Sequence, residues 1–317
     1  MESKTRIKGN VHYVGVNDRN KHRFEAMWPL PYGVSYNSYL IDDEMVALVD
    51  TVDICYFEVY LRKIKQVIGE RPINYLIINH MEPDHSGSIR LIKQHYPGII
   101  IVGNKQTFGM IEGFYGVTGE QYLVKEGDFL ALGHHKLRFY MTPMVHWPET
   151  MMTFDETDGV LFSGDGFGCF GTVDGGFLDT RINVDKYWGE MVRYYSNIVG
   201  KYGSPVQKAL QKLGGLPISA ICSTHGPVWT ENIAKVIGIY DRLSRYDADE
   251  GVVIAYGSMY GNTEQMAEAI AEELSAQGVK NIVMHNVTKS HPSYIIADIF
   301  RYKGLIIGSP TYSNQIF

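Results

Sequence analysis

A short apolar run, Leu76–Asn79, passes straight into His80-Met81-Glu82-Pro83-Asp84-His85-Ser86-Gly87-Ser88, and this junction limits the fold more than any other stretch. It predicts a strand whose exit loop carries four side chains able to hold a metal. Alternate positions of extended chain point the same way, while the turn at Pro83 brings Asp84 and His85 round to a second point. Three further candidates stand at predicted strand exits: His146 in Pro143-Met144-Val145-His146-Trp147-Pro148, Asp165 in Phe162-Ser163-Gly164-Asp165-Gly166, and His225 in Ser223-Thr224-His225-Gly226-Pro227. Small or turn-forming neighbours leave each open to an approaching ion. Singly, each has an ordinary explanation, such as a hydrogen-bonded structural histidine or an aspartate in a Gly-Asp-Gly turn. All seven together, in this order and context, do not. The other histidines lie in a predicted turn (His134, His135) or lack a partner motif (His12, His22, His95, His285, His291), and stay outside the ligand set.

Around these loops the chain mixes β-meander with βα units. Strands are expected at Val11–Val16, Ser35–Ile41, Met45–Asp50, Gly98–Val102, Lys136–Met141, Met151–Phe154, Val160–Ser163 and Ile218–Ser223. Helices are expected at Ile89–His95, over a long region Asp185–Leu213, and from about Glu231 to Ser244. That pattern fits an α/β two-sheet sandwich with helices outside. The charged stretch Arg242–Glu250 separates it from a second pattern. There, strands Gly251–Tyr256, Asn281–Asn286 and Gly304–Ile307 alternate with helices Glu264–Gln277 and Ser293–Tyr302, a βαβαβ unit. In the first of these helices Met266, Ile270 and Leu274 share the predicted apolar face. The boundary falls near residue 248, giving domains 1–248 and 249–317.

At 317 residues there is room for roughly two domains, each with its own core. A formal charge of −6 without a long basic run argues against nucleic acid as a partner. No apolar run reaches the roughly 18 residues that suggest a membrane span, and the charged start does not resemble a signal peptide. Three scattered cysteines, with no Cys-x-x-Cys pair, suit a reducing cytoplasm.

On these residues the chain resembles the metallo-β-lactamase superfamily over about Met1–Ser244. Hydrolases of that superfamily typically carry His-x-His-x-Asp-His, whereas here the second histidine position holds Glu82. An anionic oxygen donor in place of a neutral imidazole makes the site harder and more negative, and favours iron over zinc. With the stretch Trp28-Pro29-Leu30-Pro31-Tyr32-Gly33-Val34-Ser35-Tyr36-Asn37-Ser38-Tyr39-Leu40 and the His146-Trp147-Pro148 turn, this makes the chain similar to the flavodiiron proteins. The resemblance implies an αββα sandwich holding two non-haem iron ions. His80, Glu82 and His146 would bind one and Asp84, His85 and His225 the other, with Asp165 bridging. In some members the equivalent of His85 turns away from the metal. Tyr194 or Tyr195 is a candidate to hydrogen-bond a bound diatomic.

The second pattern is similar to a flavodoxin. Ser258-Met259-Tyr260-Gly261-Asn262-Thr263 lies between strand and helix, where hydroxyls and backbone N–H groups form a phosphate site. It is neither Walker A nor the dinucleotide fingerprint, and looks like the FMN phosphate loop. Gly308-Ser309-Pro310-Thr311-Tyr312-Ser313-Asn314-Gln315 follows the third strand, near the switch point where such folds hold FMN, and resembles the loop wrapping the isoalloxazine. A flavodoxin-like doubly wound parallel sheet has five strands and only three are present. The expectation is therefore either a truncated sequence or impaired flavin binding.

Taken together, the resemblance implies reduction of O2 to water or NO to N2O, with electrons reaching the irons through FMN from a rubredoxin or a flavoprotein reductase. It also implies a head-to-tail homodimer or a dimer of such dimers, in the cytoplasm. The competing readings are a dizinc hydrolase of the same fold and a non-catalytic electron-transfer or scaffold protein. Glu82 and the flavodoxin-like segment count against the first, and the intact donor set against the second.

Overall fold

Strict alternation along the central strands builds the first layer. In a computed structural model describing residues 4–317, Tyr39 and Ile41 of the strand Tyr39–Ile41 face one core while Leu40 between them faces another. Seven strands form the first sheet, in the order Arg6–Lys8, Val11–Tyr13, Tyr39–Ile41, Ala47–Val49, Tyr75–Ile77, Ile100–Gly103 and Gln121–Leu123. Five form the second: Phe129–Ala131, Lys136–Met141, Met151–Asp155, Val160–Gly164 and Ala220–Ser223. Between them lies a core drawn from both, with Val49, Ile77 and Val102 against Phe139, Met151, Phe162 and Cys222. The outer faces bury Leu48, Leu76 and Ile101, or Phe154, Leu161 and Ile221, in the same core as helix residues such as Tyr60, Ile64, Ile92, Val206 and Tyr240. The result is the αββα sandwich, its strands apolar on both faces because both are covered.

Three parallel strands follow, in the order Ile282–Asn286, Asp249–Tyr256, Tyr302–Gly308, and they carry the helices Asn262–Ala276 and Pro292–Arg301. The arrangement is that of a flavodoxin-like parallel sheet. The helix Pro292–Arg301 packs on Asp185–Tyr194 of the sandwich. At that seam Arg193, almost wholly buried, pairs with Glu190 and donates to Ser293 Oγ at 3.0 Å. Its guanidinium also lies between the rings of Phe170 and Tyr294, at 4.5 and 4.9 Å.

Several expected elements are interrupted. The strand Ser35–Ile41 divides into Val34–Tyr36 and Tyr39–Ile41, because Asn37 leaves the ladder to donate through Nδ2 to the carbonyls of Ser223 and Gly226. Val11–Val16 divides at Gly15, where the backbone presses against Tyr36 O so closely that a Cβ would lie 2.6 Å away. Instead of one long helix, Asp185–Leu213 is an α-helix to Tyr194, a π-helical turn Tyr195–Val199, a 3-10 turn Gly200–Tyr202 and a second α-helix from Gly203. Gly200 packs directly against the ring of Phe300 there. In the helix Asn262–Ala276, Ala267, Ala271 and Leu274 meet the sheet, while Met266 and Ile270 are exposed. The packing face is thus rotated by one residue from the expected one. Two helices absent from the sequence reading, Phe57–Ile68 and Lys105–Tyr115, also cover the first sheet.

Candidate metal centre

All seven expected donors converge at the sheet exits, and every one is buried. His80, Glu82, His146 and Asp165 form one group and Asp84, His85 and His225 another. His146 Nε2 lies 3.2 Å from Glu82 Oε2 and 3.0 Å from Asp165 Oδ2, and His80 Nε2 is 3.5 Å from each of those oxygens. The second oxygen of Asp165 faces the other group, with Oδ1 at 3.0 Å from His85 Nε2 and 3.8 Å from His225 Nε2. Asp84 completes it, Oδ1 lying 3.4 Å from His85 Nε2 and Oδ2 3.3 Å from His225 Nε2. His85 is turned inward. Donors held about 2.0–2.2 Å from one ion at roughly tetrahedral angles stand about 3.3–3.6 Å apart, and the separations here, from 3.0 to 3.8 Å, lie around that spacing.

A second observation supports a cation. Nε2 of His80, His85 and His225 and both oxygens of Asp84 are buried without a hydrogen-bond partner. Buried polar atoms left so are costly unless something satisfies them, and an ion between them would. The electrostatics agree. Burial alone would push the proton off His80, His85 and His146, yet the surrounding carboxylates outweigh it. His80 is held well above the ordinary imidazole range, and His85 and His146 are raised to about 9. Asp165, despite complete burial, is held well below the usual carboxylate range by His85, His80 and His146. The pocket draws positive charge.

Several positioning groups were not legible beforehand. Glu149 Oε1 accepts from His80 Nδ1 at 2.8 Å and from the Met81 backbone N–H at 2.9 Å. His225 Nδ1 meets the Ser35 carbonyl at 2.7 Å, and the Thr224 hydroxyl donates to Asp165. Asp50 accepts from the N–H and Nδ2 of Asn79, while the Thr51 N–H and hydroxyl donate to the His85 carbonyl, tying down both ends of the donor loop. Of the two tyrosines, the Tyr194 ring stands 5.6 Å from that of His225 and its hydroxyl is buried without a partner. Tyr195 turns instead to Tyr240 and Phe300, away from the donors. His135, expected in a turn, and His285, expected to lack a partner motif, pair with Asp155 and Asp298. Asp155 also accepts from the N–H groups of Thr157 and Asp158, so that group locks a hairpin turn.

At the other end, the loops after Tyr256 and Gly308 leave adjacent parallel strands and touch, Gly257 N–H donating to the Gly308 carbonyl at 2.9 Å. Ser258 Oγ accepts from Gly261 N–H, and Asn262 and Thr263 open the helix. Thr311–Tyr312 pairs with Gln315–Ile316 in a hairpin turning at Ser313 and Asn314, and Tyr260 and Tyr312 are exposed. Among the described residues no helix is long and apolar enough to cross a membrane.

Residues 34–226 match the family model described as ODP family beta lactamase, and residues 254–317 match that for flavodoxin. The chain is 33% identical over 314 residues to the anaerobic nitric oxide reductase flavorubredoxin of Vibrio vulnificus, covering 97% of this chain and 63% of that protein. It therefore spans less than two thirds of the length of that relative. Among solved structures, the rubredoxin oxygen:oxidoreductase of Desulfovibrio gigas superposes with a TM-score of 0.92 at 31% identity, over 97% of this chain and 78% of that one. The flavodiiron protein of Giardia intestinalis gives 0.93 at 28% identity, over 97% and 75%. With an ODP beta-lactamase sandwich leading into a flavodoxin-like segment, the chain belongs to the flavodiiron proteins.

Proposed function

We propose that the chain is an oxidoreductase that reduces O2 to water, NO to N2O, or both, at two iron ions. The observation that carries this reading is the pair of adjacent donor groups sharing Asp165, one of which contains Glu82 where a hydrolase would hold histidine. Two iron ions held there would supply electrons and open positions for a diatomic ligand, and FMN held by Ser258–Thr263 and Pro310–Gln315 would keep them reduced. The protein's own work is to hold, orient and shield. Asp165, presenting one oxygen to each group, would fix the separation of two cations and offset their repulsion. Glu82, Asp84 and Asp165 place three carboxylates around the pair, a donor set that favours iron and its higher oxidation state. The buried, unpartnered Tyr194 hydroxyl is available to donate to a bound diatomic.

A cleft of about 520 Å³ reaches the centre at His146 and is lined also by Glu25, Trp28, Trp147, Lys201 and Phe300; it would be the approach for a small gas. We carry with this reading a division near residue 248, a rubredoxin or flavoprotein reductase as electron donor, a head-to-tail homodimer or dimer of dimers, and a cytoplasmic location. Iron analysis combined with anaerobic turnover on O2 and on NO, given a reduced donor, tests the proposal. Two irons per chain and consumption of at least one gas are expected. Two zinc ions with esterase or lactamase activity would replace it with the hydrolase.

A further inference from the structure

We propose that Glu149 makes the His80–Glu82–His146 group the tighter of the two metal positions, so that it fills first and the Asp84–His85–His225 group second. The inference rests on the di-metal reading above. Inner donors do not distinguish the groups, since each offers one carboxylate of its own, two imidazoles and one oxygen of Asp165. The groups behind the imidazoles do.

Behind His80 stands a fully buried carboxylate, Glu149, its Oε1 at 2.8 Å from Nδ1. With the Nδ1–H engaged there, the Nε2 lone pair is left facing Glu82, His146 and Asp165. A carboxylate in that place fixes the tautomer and raises the basicity of the coordinating nitrogen. Oε1 also accepts from Met81 N–H, which locks the carboxylate to the donor loop. Oε2 has no hydrogen-bond partner, so no other donor offsets the charge, and a buried charge acts through a weakly screening medium.

Among the described residues no carboxylate is hydrogen-bonded behind either imidazole of the second group. His225 Nδ1 meets only a neutral acceptor, the Ser35 carbonyl, at 2.7 Å. His85 Nδ1 is buried with no partner at all, so that ring is oriented by packing and by Asp84 and Asp165 alone. Outer partners of this kind are worth roughly 10- to 100-fold in metal affinity. The difference between an anionic support and none therefore separates two otherwise matched positions.

The metal-free full chain, titrated anaerobically with cobalt(II) and followed by visible absorption, gives the test. Wild type should take up two equivalents in sequence. Glu149→Gln keeps an acceptor oxygen for both His80 and Met81 and removes the charge. It should weaken the first equivalent roughly 10- to 100-fold and merge the two phases, whereas His85→Ala should weaken only the second. A measurement free of variants is anomalous diffraction from wild-type crystals given one cobalt equivalent, where the peak should stand among His80, Glu82 and His146. A peak among Asp84, His85 and His225, or wild-type affinities in Glu149→Gln, would overturn the assignment while leaving the di-metal reading intact. Uptake of fewer than two equivalents by wild type would remove both.

Discussion

On the proposed reading, the Glu82 side chain sets which metals the pocket favours. Replacing it by histidine restores the hydrolase pattern His-x-His-x-Asp-His and takes one negative charge from the first group. Loaded from an equal anaerobic mixture of ferrous iron and zinc, Glu82→His should show a zinc-to-iron ratio raised by about tenfold or more over wild type. An unchanged ratio would show that Glu82 does not set the preference. A second residue-scale expectation concerns the hairpin histidine. Burial lowers the proton affinity of His135, but the hydrogen bond to Asp155 and the fields of Asp155, Asp158 and Asp43 outweigh it, so the folded imidazole holds its proton above the ordinary value of 6.5. A raised folded pKa adds stability that is fully present below the unfolded value and lost as pH rises through the folded one. Urea unfolding of His135→Gln against wild type should therefore show a larger deficit near pH 6 than near pH 9. An equal deficit at both would place the role of His135 in packing alone. The convergence of the seven candidate donors was legible because they stand in four loop motifs at strand exits, four of them in the single loop His80–His85. Glu149 was not, because it lies 69 residues from His80 and only folding joins them.

Elements place those residues, and their exits are tightly built. Gly226, next to His225, has φ +79°, and a Cβ there would lie 2.3 Å from Cys169 Sγ. Gly226→Ala should cost about 3 kcal/mol or more from combined backbone strain and overpacking, read by chemical denaturation. Adding Cys169→Ala should recover the steric part but not the strain, and full additivity in that double-mutant cycle would show that the two do not touch. Parallel strands and the βαβαβ order could be read in advance because their apolar runs are short and bounded by turns. The helix Phe57–Ile68 also carried a readable signal, Phe57, Tyr60, Leu61, Ile64 and Ile68 at helical spacing. The break of Asp185–Leu213 did not, since its π-helical turn answers to packing against the flavodoxin-like segment. The one-residue rotation of Asn262–Ala276 comes from packing on its own three-stranded sheet. Small Ala267 and Ala271 let that helix approach the sheet, which composition alone does not choose over Met266 and Ile270.

Across the whole molecule, Arg193 joins the sandwich to the flavodoxin-like segment, and its neighbours continue to the metal centre. Phe170, on which it stacks, packs at 5.0 Å against Tyr194, which in turn stands beside His225. Arg193→Met would leave Glu190 buried and unpaired, and should cost about 3–5 kcal/mol. Hydrogen exchange in Pro292–Arg301 should rise at the same time. Recovery of most of that loss by Glu190→Gln added to Arg193→Met would identify the stranded carboxylate as the cause. The central claim, however, is redox chemistry at a shared carboxylate. Its most direct test is to load the chain with two ferrous ions, without any external donor, and mix it anaerobically with NO and separately with O2 while following iron oxidation and gas uptake. The account predicts that at least one gas is consumed in proportion to diferrous sites, with N2O released in the NO case, and that Asp165→Asn abolishes the consumption. A diferrous protein that consumes neither gas, or an Asp165→Asn variant that consumes them as wild type does, would contradict it.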